Sequence, residues 1–582
     1  MTIKQKFKQL SLAALSISLF ACSEQAAEVE QTVEQAAPTA SVLAKDLAPY
    51  SERGIEQEVF YFVMPDRFDN GDTDNDMGSK TIALSRGGFE PENPKAFHGG
   101  DMQGLINNLD YLENMGITAI WLTPILRNQA QQGEISGYHG YWVLDFTEID
   151  PHLGTNDDLK AFIDAAHAKN MKVYFDIITN HTADVIKFTE CHGEDGSGWS
   201  QGGQECPYIS LAEMAEGKKY TAIVPEGSLT AKTPAWLNDP KYYHNQGDTF
   251  WEGESSLNGD FAGLDDLYTE MPEVVEGMTD IYKNIITQFK PDGFRIDTVK
   301  HVNIEFWQQF IPALEAHAKA EGINNFFMFG EVYDPEPAAL ARFTTEGTLP
   351  SVLDFGLQSV IYQTLVENKG TEAFKVLFDQ DHLYKNADQL LTFTGNHDMG
   401  RFAYLLNKDK QQYDEAAVIS RINLGHAMIY FMRGVPVVYY GDEQGFVGDG
   451  NDIMSRQDMM PSKVPSYNDD DLIATDKTTA DNNFDPTHPF YIELKLYADL
   501  YQQYEALRSG KQDVVFTEAS AGLVAVTRTA GSEKVLAVFN TATEAKTLSY
   551  NVSGGEVIYP SNATITEESV TVAPLSFVLI KL

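Results

Sequence analysis

At 582 residues the chain is too long for one average domain and predicts two to four. Its 85 acidic against 42 basic residues leave a formal net charge of −43, which argues against nucleic acid and anionic membrane as partners and suits a neutral substrate and bound cations. Hydrophobic residues make up 43%, ordinary for a soluble globular protein, so the acidity reads first as a well-solvated, secreted-type surface.

In chain order, the first element is a leader. Lys4, Lys6 and Lys8 precede an apolar stretch from Leu10 to Ala21, too short to span a bilayer as a mature helix, and residues 1–22 read as an export signal. The stretch ends Leu19-Phe20-Ala21-Cys22, which resembles the lipobox of bacterial lipoproteins. That resemblance implies lipidation at Cys22, and Ser23 resembles the outer-membrane sorting choice. The expectation is an exported protein attached to the outer membrane by a lipid anchor only, or otherwise secreted or periplasmic. Residues 23–47 are rich in Ala, Glu and Gln and read as a flexible tether.

From residue 58, short apolar runs alternate with helical stretches, as in βα units around a parallel sheet. Eight runs are predicted as strands: Val59–Met64, Ala119–Pro124, Lys172–Ile178, Gly293–Thr298, Phe326–Glu331, Leu353–Gly356, Leu390–Asn396 and Pro436–Asp442. Helices are clearest over Asn156–Asn170 and Ile304–Glu321. The fold class is thus α/β, a (β/α)8 TIM barrel over residues 48–180 and 266–510. The long gap after the third strand predicts an inserted small domain at 181–265. Cys191 and Cys206 lie there, and an oxidising compartment would let them pair; two free thiols are the alternative. Beyond residue 510 the pattern turns to alternation, as in Leu523–Thr529 and Val535–Asn540, and predicts a C-terminal antiparallel β-sandwich over 511–582.

Charged residues gather at the ends of these runs. The third ends Asp176-Ile-Ile-Thr-Asn180-His181, the fourth Arg295-Ile-Asp297 followed by Lys300-His301, the fifth Gly330-Glu331 and the seventh Asn396-His397-Asp398. Carboxylates on apolar strands are costly unless paired or functional, and strand C-termini line the mouth of such a barrel. Three carboxylates at one mouth suit glycoside cleavage, which needs a proton donor and a carboxylate facing the sugar carbon. Arg295 shares its strand face with Asp297 and is expected to keep it ionised as nucleophile. Glu331 follows an apolar run, a setting expected to keep it protonated as the acid.

At these residues the chain resembles the α-amylase family, glycoside hydrolase family 13. The resemblance is carried by DIITNH at 176–181, GFRIDTVKH at 293–301, FGEV at 329–332 and FTGNHD at 393–398, with support from GITAIWLTP, YHGYW, LDDLY and GVPVVYYGDE. It runs from about residue 55 to the C-terminus and implies a retaining enzyme acting on α-glucans. By resemblance Asp297 is the nucleophile, Glu331 the acid/base and Asp398 the residue gripping the sugar's hydroxyls. Arg295 and Asp176 hold the site in register, His181 and His397 bind the glucose before the cut, Tyr141 stacks on it, and Lys300 touches the sugar beyond. Calcium is implied twice. The run from Asp69 to Asp76 resembles a calcium loop in which Asn70, Asp72, Asn75, Asp76, Gly99 and Asp101 match the ligand positions, and alternating oxygen side chains around a Gly turn suit a hard cation. A second, weaker match uses Asn180, Asp266 and the carbonyl of His301. The reading is a monomeric α-amylase cleaving α-1,4 bonds. The rivals are a pullulanase, neopullulanase, cyclomaltodextrinase or glucanotransferase of the same family, and a non-catalytic glucan-binding lipoprotein.

Overall fold

In the computed structural model, which describes residues 44–193, 196, 206–408, 412–559 and 562–582, the apolar runs form eight short parallel strands. They are β1 Phe60–Val63, β2 Ala119–Leu122, β3 Lys172–Ile177, β4 Gly293–Ile296, β5 Phe327–Gly330, β6 Ser351–Val352, β7 Leu391–Thr392 and β8 Val435–Tyr439. Their order is β6-β5-β4-β3-β2-β1-β8-β7, and a parallel bridge from Leu353 to Leu391 joins the two outer strands and closes the barrel. The expected leader, Cys22 and most of the tether lie outside the described residues. The tether's last residues are already structured, since Ala44–Asp46 form a helical turn and Asn170 Nδ2 donates to Leu47 O at 3.4 Å.

Strands β1 to β4 are buried along their whole length because helices cover the outside and aromatic rings fill the inside. Phe62 stacks on Trp121 with centroids 3.7 Å apart, and Phe329 meets the edge of Trp121 at 5.4 Å. Outside, α1 (Asn156–Ala168) starts on a Thr155/Asp158 capping box and buries Leu159, Phe162, Ile163 and Ala166, a one-faced helical stripe. The helix stops two residues short of expectation because Asn170 turns to a φ of 61°. Helix α2 (Ile304–Ala320) buries Phe306, Trp307, Phe310, Ile311, Leu314 and Ala318 in the same way.

The sixth strand departs from the sequence reading. It is Ser351–Val352, and Phe355 and Gly356, expected in the strand, open a helix over Phe355–Ile361. Asp354 is the reason: its side chain accepts the amide of Leu357 at 2.8 Å and caps that helix. The seventh strand is cut short as well, because Asn396 Oδ1 accepts the amides of Asp398 and Met399 in a turn.

After β3 the chain leaves the barrel and returns through a short antiparallel pair in which Thr182 opposes Asp265 and His181 opposes Asp266. Within this excursion Cys191 and Cys206 are disulfide-bonded. The C-terminal strands are β9 Lys511–Phe516, β10 Leu523–Ala530, β11 Glu533–Asn540, β12 Lys546–Ser549, β13 Glu556–Val557, β14 Thr564–Ile565, β15 Ser569–Val572 and β16 Ser576–Lys581. They make two antiparallel sheets, β9-β10-β11-β16-β13 and β12-β15-β14. Period-two alternation divides their residues. Ala525, Val538 and Val578 face the second sheet's Val570 and Val572, whereas Val526, Phe539 and Phe577 join the barrel's own core. Phe577 lies 5.7 Å from Phe431 on a barrel helix.

Candidate active site

Strands β3, β4 and β5 run in register, with Arg295 opposite both Asp176 and Phe329, and Ile296 opposite Gly330. One residue beyond the last rung, Asp297 and Glu331 emerge abreast, each still bonded to the neighbouring strand through its amide, at 2.9 Å to Ile177 O and 2.8 Å to Ile296 O. Adjacent strands stand about 4.8 Å apart, so two carboxylates at one level of neighbouring strands are forced close together. Both meet Arg295: Nη1 is 2.7 Å from Asp297 and 2.7 Å from Asp176, and Nη2 is 2.9 Å from Glu331. Directly after Asp297, Thr298 takes a left-handed φ of 48°, strained for a β-branched residue. This turn aims the Thr298 amide at the Glu331 carboxylate (3.2 Å) and the Val299 amide at the Glu331 carbonyl (2.9 Å).

The electrostatics differ from the expectation in one respect. Burial pushes the Asp297 carboxyl up, Arg295 opposes this, and the charges of Glu331 and Asp176 push it up again, leaving it well above the usual carboxylate range. Asp176 rises to about 7, also first through burial. One guanidinium does not offset the burial and mutual repulsion of these carboxylates, so Asp297 and Asp176 are both held above the usual carboxylate range. Nor are the surroundings of Glu331 apolar. The run before it supplies Phe329 one layer down, but the Glu331 carboxylate itself meets the Arg295 guanidinium at 2.9 Å.

Around this trio lies a cleft of about 520 Å³ lined by Asp297, Glu331 and Asp398 together with His181, Tyr141 and Lys300. Asp398 projects into it with its side chain 38% exposed. His181 stacks on Phe261, and its buried Nε2 has no partner. His397 sits behind the cleft wall, stacked on Tyr141 and hydrogen-bonded to its hydroxyl at 2.9 Å. Burial drives both imidazoles down to about 3, so each is neutral in the ordinary working range. The Tyr141 hydroxyl also donates to Asp176 at 3.2 Å, and Lys300 donates to the Tyr333 carbonyl at 2.8 Å. Asp176 is itself buried behind Arg295, so it supports the site without facing the cleft.

Such a set, a guanidinium-bridged carboxylate pair with a third carboxylate across a cleft at the C-terminal mouth of a barrel, can protonate a leaving oxygen and receive a sugar carbon. Residues 62–506 match the family described as alpha amylase, catalytic domain. The chain belongs to the α-amylase family. An α-amylase of Streptomyces lividans is 38% identical, aligned over 94% of this chain but 62% of its own length, so the chain spans about three fifths of that relative. A cyclomaltodextrin glucanotransferase of Klebsiella oxytoca is 26% identical over 89% of this chain and 75% of its own. The crystal structure of an Anoxybacillus α-amylase superposes with a TM-score of 0.68 at 26% identity, covering 91% of this chain and 99% of that one.

The two calcium positions implied by the family resemblance have different surroundings. Among the described residues no group of three or more His, Cys, Asp or Glu is arranged as a metal cluster. In the first loop, Asn70 Nδ2 donates to Asp76 at 2.8 Å, and the Asp101 carboxylate accepts the amides of Gly71, Asp72 and Gly104 and the side-chain amide of Asn75. The side-chain oxygens of Asn70 and Asn75 are buried without a donor, which leaves hard neutral ligands beside the acids. Gly99, at a φ of 97°, lies so close that a Cβ there would fall 2.4 Å from Asn70 Nδ2 and 2.7 Å from Asp76 Oδ1. The donor set fits a hard cation. At the second position His244 Nδ1 lies 2.6 Å from Asp266 and His244 Nε2 lies 2.9 Å from Glu270. Burial alone would lower this imidazole, but the two acids outweigh that and lift it to about 9. His301 turns its ring to the Ser256 carbonyl at 2.8 Å.

Sequence reading missed Trp251, Tyr333 and Arg456, which also line the cleft. All three lie outside the eight strands, where no periodicity marks them. Trp251 and Tyr333 are each 48% exposed, and Trp251 has a φ of 67°.

Proposed function

We propose that this chain is a retaining α-glucan hydrolase, an α-amylase cleaving α-1,4-glucosidic bonds within starch, glycogen or maltodextrin. The observation that carries the reading is the placement of Asp297 and Glu331 abreast on adjacent strands, both on Arg295. Strand spacing of about 4.8 Å matches the separation of about 5–5.5 Å used by retaining enzymes and leaves too little room for the water of an inverting one. Glu331 gives its proton to the bridging oxygen as the C1–O bond breaks, and Asp297 forms a new bond to C1. Glu331 then takes a proton from water, whose oxygen displaces Asp297 with the configuration kept. Asp398, across the cleft, accepts hydrogen bonds from sugar hydroxyls. His181 and Tyr141, both in the cleft wall, contact the same ring, Tyr141 by its face. The exposed rings of Trp251 and Tyr333 favour a second reading, in which a bound sugar competes with water as acceptor and the enzyme transfers glucan.

Calcium would be held at the first loop by Asn70, Asn75 and Asp76, with Asp72, Gly99 and Asp101 shaping the cradle. Its contribution there is structural, fixing the chain between β1 and β2. The Lys-rich start, apolar stretch and Cys22 support export and lipid anchoring at an outer membrane. Digestion of starch, pullulan and cyclodextrin with calcium present tests the reading. Mixed malto-oligosaccharides from starch with little action on pullulan are expected; rapid cleavage of pullulan or cyclodextrin, or no turnover at all, would contradict it.

A further inference from the structure

Arg295 forks onto Asp176, Asp297 and Glu331, while Asp398 takes a different cation, Arg456, at 3.1 Å through Nη2. The same guanidinium donates from Nε to the carbonyl of His397 at 3.1 Å and from Nη1 to the Tyr138 hydroxyl at 3.2 Å, and Nη2 also lies 3.4 Å from Asp452. One planar fork therefore grips both the peptide bond before Asp398 and the Asp398 carboxylate. We propose that Arg456 is a positioning residue that holds Asp398 against the other two carboxylates and acts on the reaction through Asp398. The inference rests on the hydrolase reading above.

Three observations carry it. The Arg456 side chain is 7% exposed and that of Asp398 is 38% exposed, so the cation belongs to the wall and the anion to the cleft. Without Arg456, Asp398 keeps a side-chain contact with His397 at 3.3 Å, and that imidazole is neutral. Finally, the segment carrying Arg456 is pinned on both sides. Tyr439 of β8 donates to the Ser455 carbonyl at 3.0 Å, Arg401 donates to Gln457 at 2.9 Å, and His98 pairs with Asp458 at 2.7 Å. A lysine there would keep the charge but could not satisfy three acceptors in one plane.

A double-mutant cycle tests this, with kcat and KM measured on an aryl α-maltooligoside for Arg456→Gln, Asp398→Asn and both together. Arg456→Gln is expected to lower kcat roughly 100-fold, the cost of misplacing a group by about 1 Å, with a much smaller change in KM. In the Asp398→Asn background the same substitution is expected to cost less than about threefold, because residues acting as one unit are not additive. Guanidinium added to Arg456→Ala should restore part of the lost kcat, which a merely structural role would not produce. If Arg456→Gln does not fold, Arg456→Lys replaces it in the cycle with the same expected non-additivity. Multiplicative losses in an active wild-type background, or a loss confined to KM, would overturn the role of Arg456 alone. A wild type inactive on every α-glucan would overturn the hydrolase reading and this inference with it.

Discussion

Glu331 receives two backbone contacts and one guanidinium contact, while its partner Asp297 shares that guanidinium with Asp176. The residue proposed to donate a proton is thereby fixed in place by a strained turn at Thr298. Replacing it by glutamine keeps the size and removes the proton. Glu331→Gln is expected to lower kcat on starch by roughly 10²–10⁴-fold, the usual worth of a general acid. On an aryl glycoside whose phenol leaves without protonation, the loss in the first step should shrink; an equal loss on both substrates would contradict the assignment of Glu331 as acid. These carboxylates were legible in the sequence because each ends an apolar run, where a charge has no structural excuse. Arg456 and Trp251 were not, since loop residues reveal their neighbours only after the chain has folded.

Capped helices and strands that stop one residue early do much of the positioning at the level of elements. Asp297 and Glu331 lie just past β4 and β5, free of the ladder on one side yet held by it on the other. The expected strand over Leu353–Gly356 was misread because Leu-Asp-Phe-Gly is apolar enough for a strand, while Asp354 acts as a helix cap whose partner amide is three residues on. The loop after β1 was readable from its alternating Asn and Asp, but the acids there spend their oxygens largely on loop amides. What remains for a cation is two orphaned amide oxygens and a cradle around Gly99. Excess chelator is expected to lower the melting temperature of the protein, since calcium at 100 times its Kd would stabilise the fold by about 2.7 kcal/mol. Gly99→Ala, which places a Cβ on Asn70, should start at a lower melting temperature and respond little to chelator. An unchanged melting temperature for metal-stripped wild type would contradict calcium at this loop.

Across the whole molecule, charge is buried in quantity, and not all of it is paired. Glu443, in the helical turn Asp442–Gln444 after β8, is fully buried and is met by the hydroxyls of Tyr61 at 2.7 Å and Tyr111 at 3.1 Å. Burial lifts its carboxyl to about 7. A raised folded value means that the native state holds this proton after the unfolded chain has lost it. Its contribution to stability is therefore present at acid pH and falls as pH rises from the ordinary carboxyl range through about 7. Unfolding free energies measured from pH 4.5 to 8 should decline less steeply in Glu443→Gln, by on the order of 2–3 kcal/mol at 1.36 kcal/mol per unit; an unchanged slope would remove Glu443 from the account. The two-layer C-terminal unit was evident from alternation alone, whereas its seam with the barrel, through Phe539 and Phe577, was not, because both faces of those strands are apolar. The central claim, that Asp297 and Glu331 cleave α-glucans with retention, is tested most directly by proton NMR of the reducing ends in the first moments of starch digestion, for wild type and Asp297→Asn. The expected result is α-anomer first, drifting to the equilibrium mixture, and no release by Asp297→Asn; β-anomer first, or undiminished release by the variant, would contradict it.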